Sequence, residues 1–215
     1  MVGAQLRHVG KVGDTLRVGL TGGIASGKTT AAAALELCGA PVAFADDMAR
    51  GLMECDGPVR AALVELLGPG AYGSDGRLNR AALGARLFAD ADLLAAVNAV
   101  VHPAVREAAA AWHESHRGRA AYTVYESALL FETGSESAFD VVVVVHAPRE
   151  LRLARAVARG GVDAAAVGAR MAAQLSDGER LERRGYFLLN DGESLLLPQV
   201  CRLHRALVER RVAEA

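Results

Sequence analysis

Short apolar runs alternate with helical, alanine- and leucine-rich stretches along most of this chain. Five of the apolar runs predict β-strands, at residues 17–21, 41–45, 121–125, 141–146 and 186–189. The run from Val141 to Val145 is apolar at every position, which is typical of a strand buried on both faces. Strands that alternate with helices predict an α/β fold of three layers, with a five-stranded parallel sheet flanked by helices.

A long segment, residues 48–119, separates the second and third predicted strands and has an almost wholly helical pattern. Asn79 is a typical cap for a helix that we expect to run through Leu87, and a further helix is expected over 92–101. Pro103 would then occupy the first position of the next helix. Roughly seventy residues is far more than a parallel crossover needs. We therefore expect a helical insertion, residues 51–119, that holds a second substrate.

The segment Gly22-Gly23-Ile24-Ala25-Ser26-Gly27-Lys28-Thr29 matches the pattern G-x-x-x-x-G-K-[ST] and stands between the first strand and a helix expected over 30–37. That context is the one in which the pattern predicts a phosphate-binding loop. Glycines let backbone N–H groups face a polyphosphate, and the helix N-terminus adds positive charge. Lys28 contributes a point charge and Thr29 a hydroxyl ligand for Mg²⁺. The chain has one other lysine, Lys11, which favours a specific role for Lys28 over a solvated cation.

Carboxylates follow two of the predicted strands. Asp46 and Asp47 come after the second strand and Glu126 after the third. Phosphoryl transfer needs a carboxylate near the acceptor hydroxyl and oxygen ligands for a metal ion, and ligands of open α/β sheets bind at the carboxyl ends of strands. Each acid could instead stabilise a helix N-terminus. The position favours catalysis for Asp46 and a structural role for Asp47, and leaves Glu126 open between the two.

Three arginines, Arg152, Arg155 and Arg159, share one face of a helix expected after the fourth strand. They could form a solvated surface or a cationic lid that closes over phosphates. Because the chain carries a phosphate loop, we favour the lid and assign residues 151–184 to it.

The bulk properties exclude several classes of protein. A formal net charge of −1 indicates no general attraction to nucleic acid or membranes, and no apolar run is long enough to span a membrane. Three widely spaced cysteines, Cys38, Cys55 and Cys201, are typical of free thiols in a reducing cytoplasm. Residues 1–16 lack the apolar core of a signal peptide and are expected to be a disordered extension. Residues 17–215 are expected to form one kinase domain, with its core at 17–50, 120–150 and 185–215.

These motifs resemble those of the dephospho-coenzyme A kinase family, from about residue 18 to the C-terminal helix. The loop is similar to that family's LTGGIGSGKS/T, with Ala25 where a glycine is usual. Asp46 with Met48-Ala49-Arg50 is similar to D-A-D-x-[IL]-A-R, and Phe44 replaces the first aspartate. Val97-Asn98-x-x-Val101-His102-Pro103 is similar to L-N-x-x-x-H-P, a motif beside the coenzyme A moiety.

The second half of the chain continues the resemblance. The segment Glu126-Ser127-Ala128-Leu129-Leu130-Phe131-Glu132 resembles D-x-P-L-L-[FV]-E, and Arg155 and Arg159 match arginines of the lid. Arg170-Met171-x-x-Gln174 resembles R-[IM]-x-x-Q, and Asn190-Asp191-Gly192 is similar to a turn near adenine.

The resemblance implies transfer of the γ-phosphate of ATP to the ribose 3′-hydroxyl of dephospho-coenzyme A, with Mg²⁺, in the cytoplasm, by a monomer or weak homo-oligomer. It implies catalytic roles for Lys28, Asp46 and Arg155, and metal ligation by Thr29 and Glu126. The implied nucleotide contacts are Gly23, Ile24, Ala25, Ser26, Gly27, Lys28, Thr29, Thr30, Arg159, Asn190 and Gly192. The implied acceptor contacts are Asp46, Arg50, His102, Glu126 and Leu130.

Three other functions for a chain with a phosphate loop can be compared with the sequence. A kinase for another small metabolite, such as a nucleoside or nucleotide, would share the loop and lid and stays open at this stage. A GTPase needs an N/T-K-x-D element for guanine, and no lysine follows Lys28. An ATPase that drives an assembly would usually carry further interaction domains, for which the chain has no room.

Overall fold

The computed structural model describes residues 15–160 and 163–214. The described residues form two compact units: the first comprises those up to Ala43 and those from Ser115 onward, and the second is Phe44–Glu114. Most of the N-terminal extension predicted over 1–16 lies outside the described residues. Its last residue, Leu16, is the first residue of strand β1.

The first unit is built on a five-stranded sheet of the predicted kind. Its strands are β1 Leu16–Thr21, β2 Val42–Phe44, β3 Tyr122–Glu126, β4 Val141–His146 and β5 Tyr186–Leu189. The order across the sheet is β2-β3-β1-β4-β5. Strand β1 pairs in parallel with β3 and β4, and β4 pairs in parallel with β5. All five predicted strands are confirmed, although β2 is shorter than predicted because Ala45 already begins a helix.

The helices of the described residues follow the same alternation. They are α1 Lys28–Leu37, α2 Ala45–Cys55, α3 Gly57–Leu67, α4 Arg80–Ala89, α5 Ala91–Ser115, α6 Arg149–Ala158, α7 Ala164–Ala172, α8 Asp177–Glu182 and α9 Leu196–Glu214. Single 3-10 turns lie at Pro69–Ala71 and Ser135–Ala138. Helices α2 to α4 and most of α5 belong to the second unit, which agrees with the largely helical pattern of that stretch.

The sheet is the core of the first unit. Val143, Val144 and Val145 of β4 have no exposed surface, and neither have Val18 and Leu20 of β1. Burial of complete apolar side chains at about 25 cal/mol per Å² is the main source of stability for such strands. The two central strands therefore give a rigid base to the loops at their carboxyl ends.

The prediction of a helix boundary at Pro103 is wrong. Helix α5 runs unbroken from Ala91 to Ser115 with Pro103 inside it. Proline removes one backbone hydrogen bond of a helix, which is costly in an isolated segment. Here Val97, Val101, Val105 and Ala109 are buried at regular spacings of four residues on both sides of the proline. That continuous apolar face outweighs the local preference for a break.

Candidate active site

Four chain segments of the first unit converge at the carboxyl end of the sheet. The phosphate loop, residues 22–29, follows β1; Glu126 ends β3; helix α6 follows β4; and Asn190 follows β5. Strands β3, β1, β4 and β5 are consecutive neighbours in the sheet. The polar groups that follow them therefore lie side by side, where open parallel sheets bind their ligands.

Glycine is required at both ends of the phosphate loop. Gly22 and Gly27 have φ angles of 151° and 103°, a region that favours glycine. A Cβ atom on Gly22 would overlap the carbonyl oxygen of Val145, and one on Gly27 would overlap Nδ2 of Asn190. Inside the loop, the amide of Ser26 donates to the carbonyl of Gly23 at 3.1 Å. The tight turn predicted from the glycines is thus present.

Ala25 adopts a backbone conformation that glycine would adopt more easily. Its φ is 57°, and among the described residues it is the one non-glycine with positive φ. The left-handed conformation costs an L-residue about 1–2 kcal/mol. This is the position at which the resembling family usually has glycine, so this chain carries local strain in its phosphate loop.

The ammonium group of Lys28 lies within the curve of the loop. Its Nζ donates to the carbonyl oxygens of Gly22 and Gly23 at 3.0 and 3.2 Å. It also lies 3.9 Å from Oε1 of Glu126, and the two side chains are only 10% and 14% exposed. These carbonyl and carboxylate partners hold the ammonium group in the position where the loop would bind a phosphate.

The phosphate loop and the end of β3 each supply an oxygen donor suited to a hard cation. Thr29 is exposed in the first turn of α1. Glu126 supplies a carboxylate, and hydroxyl and carboxylate oxygens are ligands that Mg²⁺ accepts. Thr30 is also exposed in this turn, whose free N–H groups attract anions. The donor set fits a magnesium ion shared with phosphates.

Arg155 and Asn190 connect helix α6 to the loop. Arg155 donates from Nη1 to the carbonyl of Asn190 at 3.0 Å, and Nδ2 of Asn190 donates to the carbonyl of Ser26 at 2.7 Å. The following turn is stabilised by Asp191, whose pKa is lowered because its carboxylate accepts hydrogen bonds from the amides of Ser194 and Glu193. Gly192 in this turn has a φ of 95°. Two predicted site residues thus share one network with the loop.

Arg152, Arg155 and Arg159 do not form one cationic surface. Arg152 is 5% exposed, and its Nη2 lies 2.7 Å from both carboxylate oxygens of Asp177. Its Nε donates to the carbonyl of Ala147 at 2.9 Å. Arg159, in contrast, is exposed at the C-terminal end of α6. The interpretation of all three as lid cations is therefore wrong for Arg152, because its buried guanidinium group is paired with Asp177.

Sequence reasoning missed most of this ion-pair network. Arg180, 3% exposed, lies 3.3 Å from Asp177 and 3.5 Å from Glu132. One signal was available, since Ser176 and Glu179 have the S-x-x-E spacing of a capping box, and both capping bonds are present at the start of α8. Their spacing predicts the helix but not the partners of its buried arginine.

Three of the five acceptor residues implied by the resemblance, Asp46, Arg50 and His102, lie in the second unit. Asp46 and Asp47 are exposed in the first turn of α2, directly after β2. Asp47 forms a 2.6 Å ion pair with Arg50. His102 is half-buried in α5, and its pKa is lowered by burial and by the nearby charge of Arg106. The histidine is thus neutral near pH 7.

The second unit also contains an open cavity of about 510 Å³. It is lined by Glu54, Arg77, Leu78 and Arg80.

Leu130 cannot make the substrate contact that the resemblance implied. Its side chain has no exposed surface and packs in a cluster with Phe131 and Val144, against which Phe139 is also packed. Apolar burial of this kind is a core role. The motif around it is real, but this member of the motif supports the sheet.

Comparison with known proteins identifies the family. The family model for dephospho-CoA kinase matches residues 16–195. The chain belongs to the dephospho-CoA kinase family. This confirms the resemblance inferred from the motifs and, with it, the class of the enzyme, a phosphotransferase.

Individual relatives agree with the family match. A dephospho-CoA kinase of Bacteroides fragilis is 36% identical over 91% of this chain and 94% of its own length. One of Salinibacter ruber is 43% identical over 81% of this chain and 88% of its own. The chain is therefore comparable in extent to the proteins it matches.

Solved structures support the P-loop kinase fold. The crystal structure of TT1252 from Thermus thermophilus has a TM-score of 0.77 and 35% identity, and the alignment covers 91% of this chain and 97% of that one. The dephospho-CoA kinase of Campylobacter jejuni has a TM-score of 0.63 at 18% identity, with coverage of 91% and 98%, and so bears on the fold alone. Among the helices of the described residues, none is long and apolar enough to cross a membrane.

Proposed function

We propose that this protein transfers the γ-phosphoryl group of ATP to the ribose 3′-hydroxyl of dephospho-coenzyme A, giving coenzyme A and ADP. The observation that carries the proposal is the ammonium of Lys28, held in the curve of the phosphate loop of a chain that belongs to the dephospho-CoA kinase family. Such transfer requires positioning and charge compensation more than covalent chemistry.

The phosphate loop is the proposed site of the ATP phosphates. Its backbone amides and the N-terminus of α1 supply hydrogen-bond donors, and Nζ of Lys28 exchanges its carbonyl partners for phosphate oxygens. Arg155 is connected to the loop by two hydrogen bonds: it donates to the carbonyl of Asn190, whose side chain donates to the carbonyl of Ser26. We assign it the compensation of charge that develops on the transferred group. Arg159 and Gly192 are two further proposed nucleotide contacts.

Thr29 and Glu126 are the proposed protein ligands of Mg²⁺. Within the described residues no group of three or more histidine, cysteine or acidic side chains could hold a metal ion by itself. That arrangement suits Mg²⁺, which keeps waters and binds through one or two protein oxygens together with substrate phosphates. When bound, the ion neutralises charge on the phosphates.

Asp46 is the proposed acceptor-side carboxylate. It is exposed directly after β2, whereas its neighbour Asp47 is engaged by Arg50. A free carboxylate can orient the ribose hydroxyl and accept its proton. We assign acceptor binding to the helical second unit, with Arg50 and the neutral His102 as contacts. The three cysteines carry no disulfide, which supports a cytoplasmic location.

The test is an ADP-release assay with ATP, Mg²⁺ and one acceptor at a time. Dephospho-coenzyme A is expected to give the highest kcat/KM, and adenosine and AMP are expected to give little turnover. The product should carry its new phosphate on the ribose 3′-oxygen, which phosphorus NMR distinguishes from a 2′-phosphate. Preference for adenosine or AMP would replace this proposal with that of a nucleoside or nucleotide kinase.

A further inference from the structure

We propose that Gln174 is a positioning residue of the phosphate loop, which it holds in the form that binds ATP. The proposal rests on the nucleotide site proposed above and gives a role to a side chain outside the loop. Gln174 follows helix α7 and lies 150 residues from the loop in sequence.

The carboxamide of Gln174 bridges two loops at the carboxyl end of the sheet. Its Oε1 accepts the amide proton of Ile24 at 2.9 Å, and its Nε2 donates to the carbonyl of Ala128 at 3.4 Å. Ile24 lies in the phosphate loop, and Ala128 lies two residues after Glu126. A carboxamide is a side chain that can serve both groups at once, because it carries an acceptor and a donor.

The backbone next to Gln174 is fixed from several directions. The amide of Leu175 donates to Glu132 at 2.9 Å, and Ser176 forms the capping box of α8. Asp177 then forms its two 2.7 Å bonds with Arg152. Gln174 itself is half-buried. The bonds of the residues that follow it fix its backbone, so its side chain is held close to the loop. A bond that is preorganised in this way loses little entropy when it forms.

The hydrogen bond from the Ile24 amide to Gln174 matters because the next residue, Ala25, has a strained backbone. Ile24 directly precedes this residue, whose left-handed backbone is unfavourable for alanine. A hydrogen bond from outside the loop to the Ile24 amide favours the strained form over relaxed alternatives. Relaxed loops would turn amides away from the phosphates, so loss of the bond should weaken ATP binding before it affects phosphoryl transfer.

The experiment measures ATP binding by calorimetry with Mg²⁺ and no acceptor. Gln174→Met keeps the length of the side chain and removes both amide functions. We expect its Kd for ATP to rise roughly tenfold, the value of one good hydrogen bond. Ala25→Gly should recover most of that loss in the Gln174→Met background, and its effect on the Kd should be smaller in the wild-type background.

Thr15→Val is the matched control. The Thr15 hydroxyl also joins two backbone segments: it donates to Ala120 at 2.9 Å and accepts from the amide of Gly118 at 2.9 Å. It precedes β1, at the opposite end of that strand from the phosphate loop. We expect this variant to lose thermal stability with no change in the Kd for ATP.

Two results would overturn the proposal. One is a Kd of Gln174→Met within twofold of wild type, and the other is an equal effect of Ala25→Gly in both backgrounds. If Gln174→Met does not fold, hydrogen exchange of the Ile24 amide in the wild-type protein decides, because exchange as fast as in an exposed loop excludes the bond. Failure to phosphorylate dephospho-coenzyme A would refute the proposed function without altering any of these binding results.

Discussion

The guanidinium group of Arg152 lies against the backbone of Gly23, so that a Cβ atom on this glycine would overlap Nη1 of the arginine. The arginine cannot easily move away, because it is 5% exposed and both oxygens of Asp177 hold it. The phosphate loop therefore packs against an ion pair between helices α6 and α8 whose arginine is buried.

Gly23→Ala is expected to lower both thermal stability and ATP affinity, because the added methyl group must displace Arg152 or the loop. A loss of about 1–3 kcal/mol in the free energy of unfolding is typical of overpacking, and chemical denaturation measures it. Gly168→Ala is the control, since Gly168 lies within α7 with open space around its Cα. That change should stabilise the protein by up to about 1 kcal/mol.

Removing the acidic partner of this ion pair should destabilise the fold. Asp177→Ala leaves Arg152 and Arg180 buried without their shared carboxylate, and we expect a loss of about 2–3 kcal/mol in the free energy of unfolding. Asp47→Ala removes an ion pair whose two partners are about half exposed, and it should cost less than about 1 kcal/mol. Urea titrations measure both variants. Equal losses in their free energies of unfolding would contradict a larger contribution of Asp177 to stability.

Lys28→Ala should abolish most turnover and leave the fold intact. Its ammonium bonds backbone carbonyls of the loop, so the substitution removes polar contacts at the end of the sheet and not an apolar residue of the core. Lys28→Arg should not restore the rate, because a planar guanidinium does not replace a compact ammonium at this position. The measurement is kcat with ATP and dephospho-coenzyme A, with circular dichroism as the folding control. Wild-type rates in Lys28→Ala would remove the lysine from the mechanism.

Asp46→Asn should lower kcat by about 10²–10⁴-fold, the usual contribution of a positioned proton acceptor. Asp47→Asn is its matched control, because it changes the neighbouring acid in the same helical turn. We expect the control to keep kcat within a few-fold of wild type. An Asp46→Asn effect confined to KM for the acceptor would reduce the role of Asp46 to binding.

His102 should make stability fall in acid. Its pKa in the folded protein is lowered from about 6.5 by burial and by Arg106, so the unfolded chain binds the proton more readily. The resulting contribution is complete above about pH 6.5 and is lost as the pH drops below that value. His102→Gln should reduce the difference in the free energy of unfolding between about pH 7.5 and about pH 5.5. An unchanged difference would argue against this burial.

The sequence sufficed for the parts of the molecule that depend on local pattern. Alternation of apolar runs and helices predicted five strands, and glycine spacing predicted the turn that surrounds Lys28. Pro103 misled the prediction because a distant property, the buried face of α5, decided the helix. Arg152 misled it for a similar reason, since its partner Asp177 is 25 residues away and no periodicity connects them. Pairs of side chains that are distant in sequence are decided by the packing of the folded chain, and a local sequence pattern therefore does not predict them.

The ribosome makes the phosphate loop well before two of the residues that hold it, Gln174 and Asn190. Gln174 and Asn190 reach back across 150 and 164 residues to the loop backbone. Pairings of such separation close slowly, because a long stretch of chain must be ordered first. A nascent chain therefore acquires a finished nucleotide pocket only after the segment that carries Gln174 and Asn190 has emerged, and translation products that end before this segment should not retain ATP.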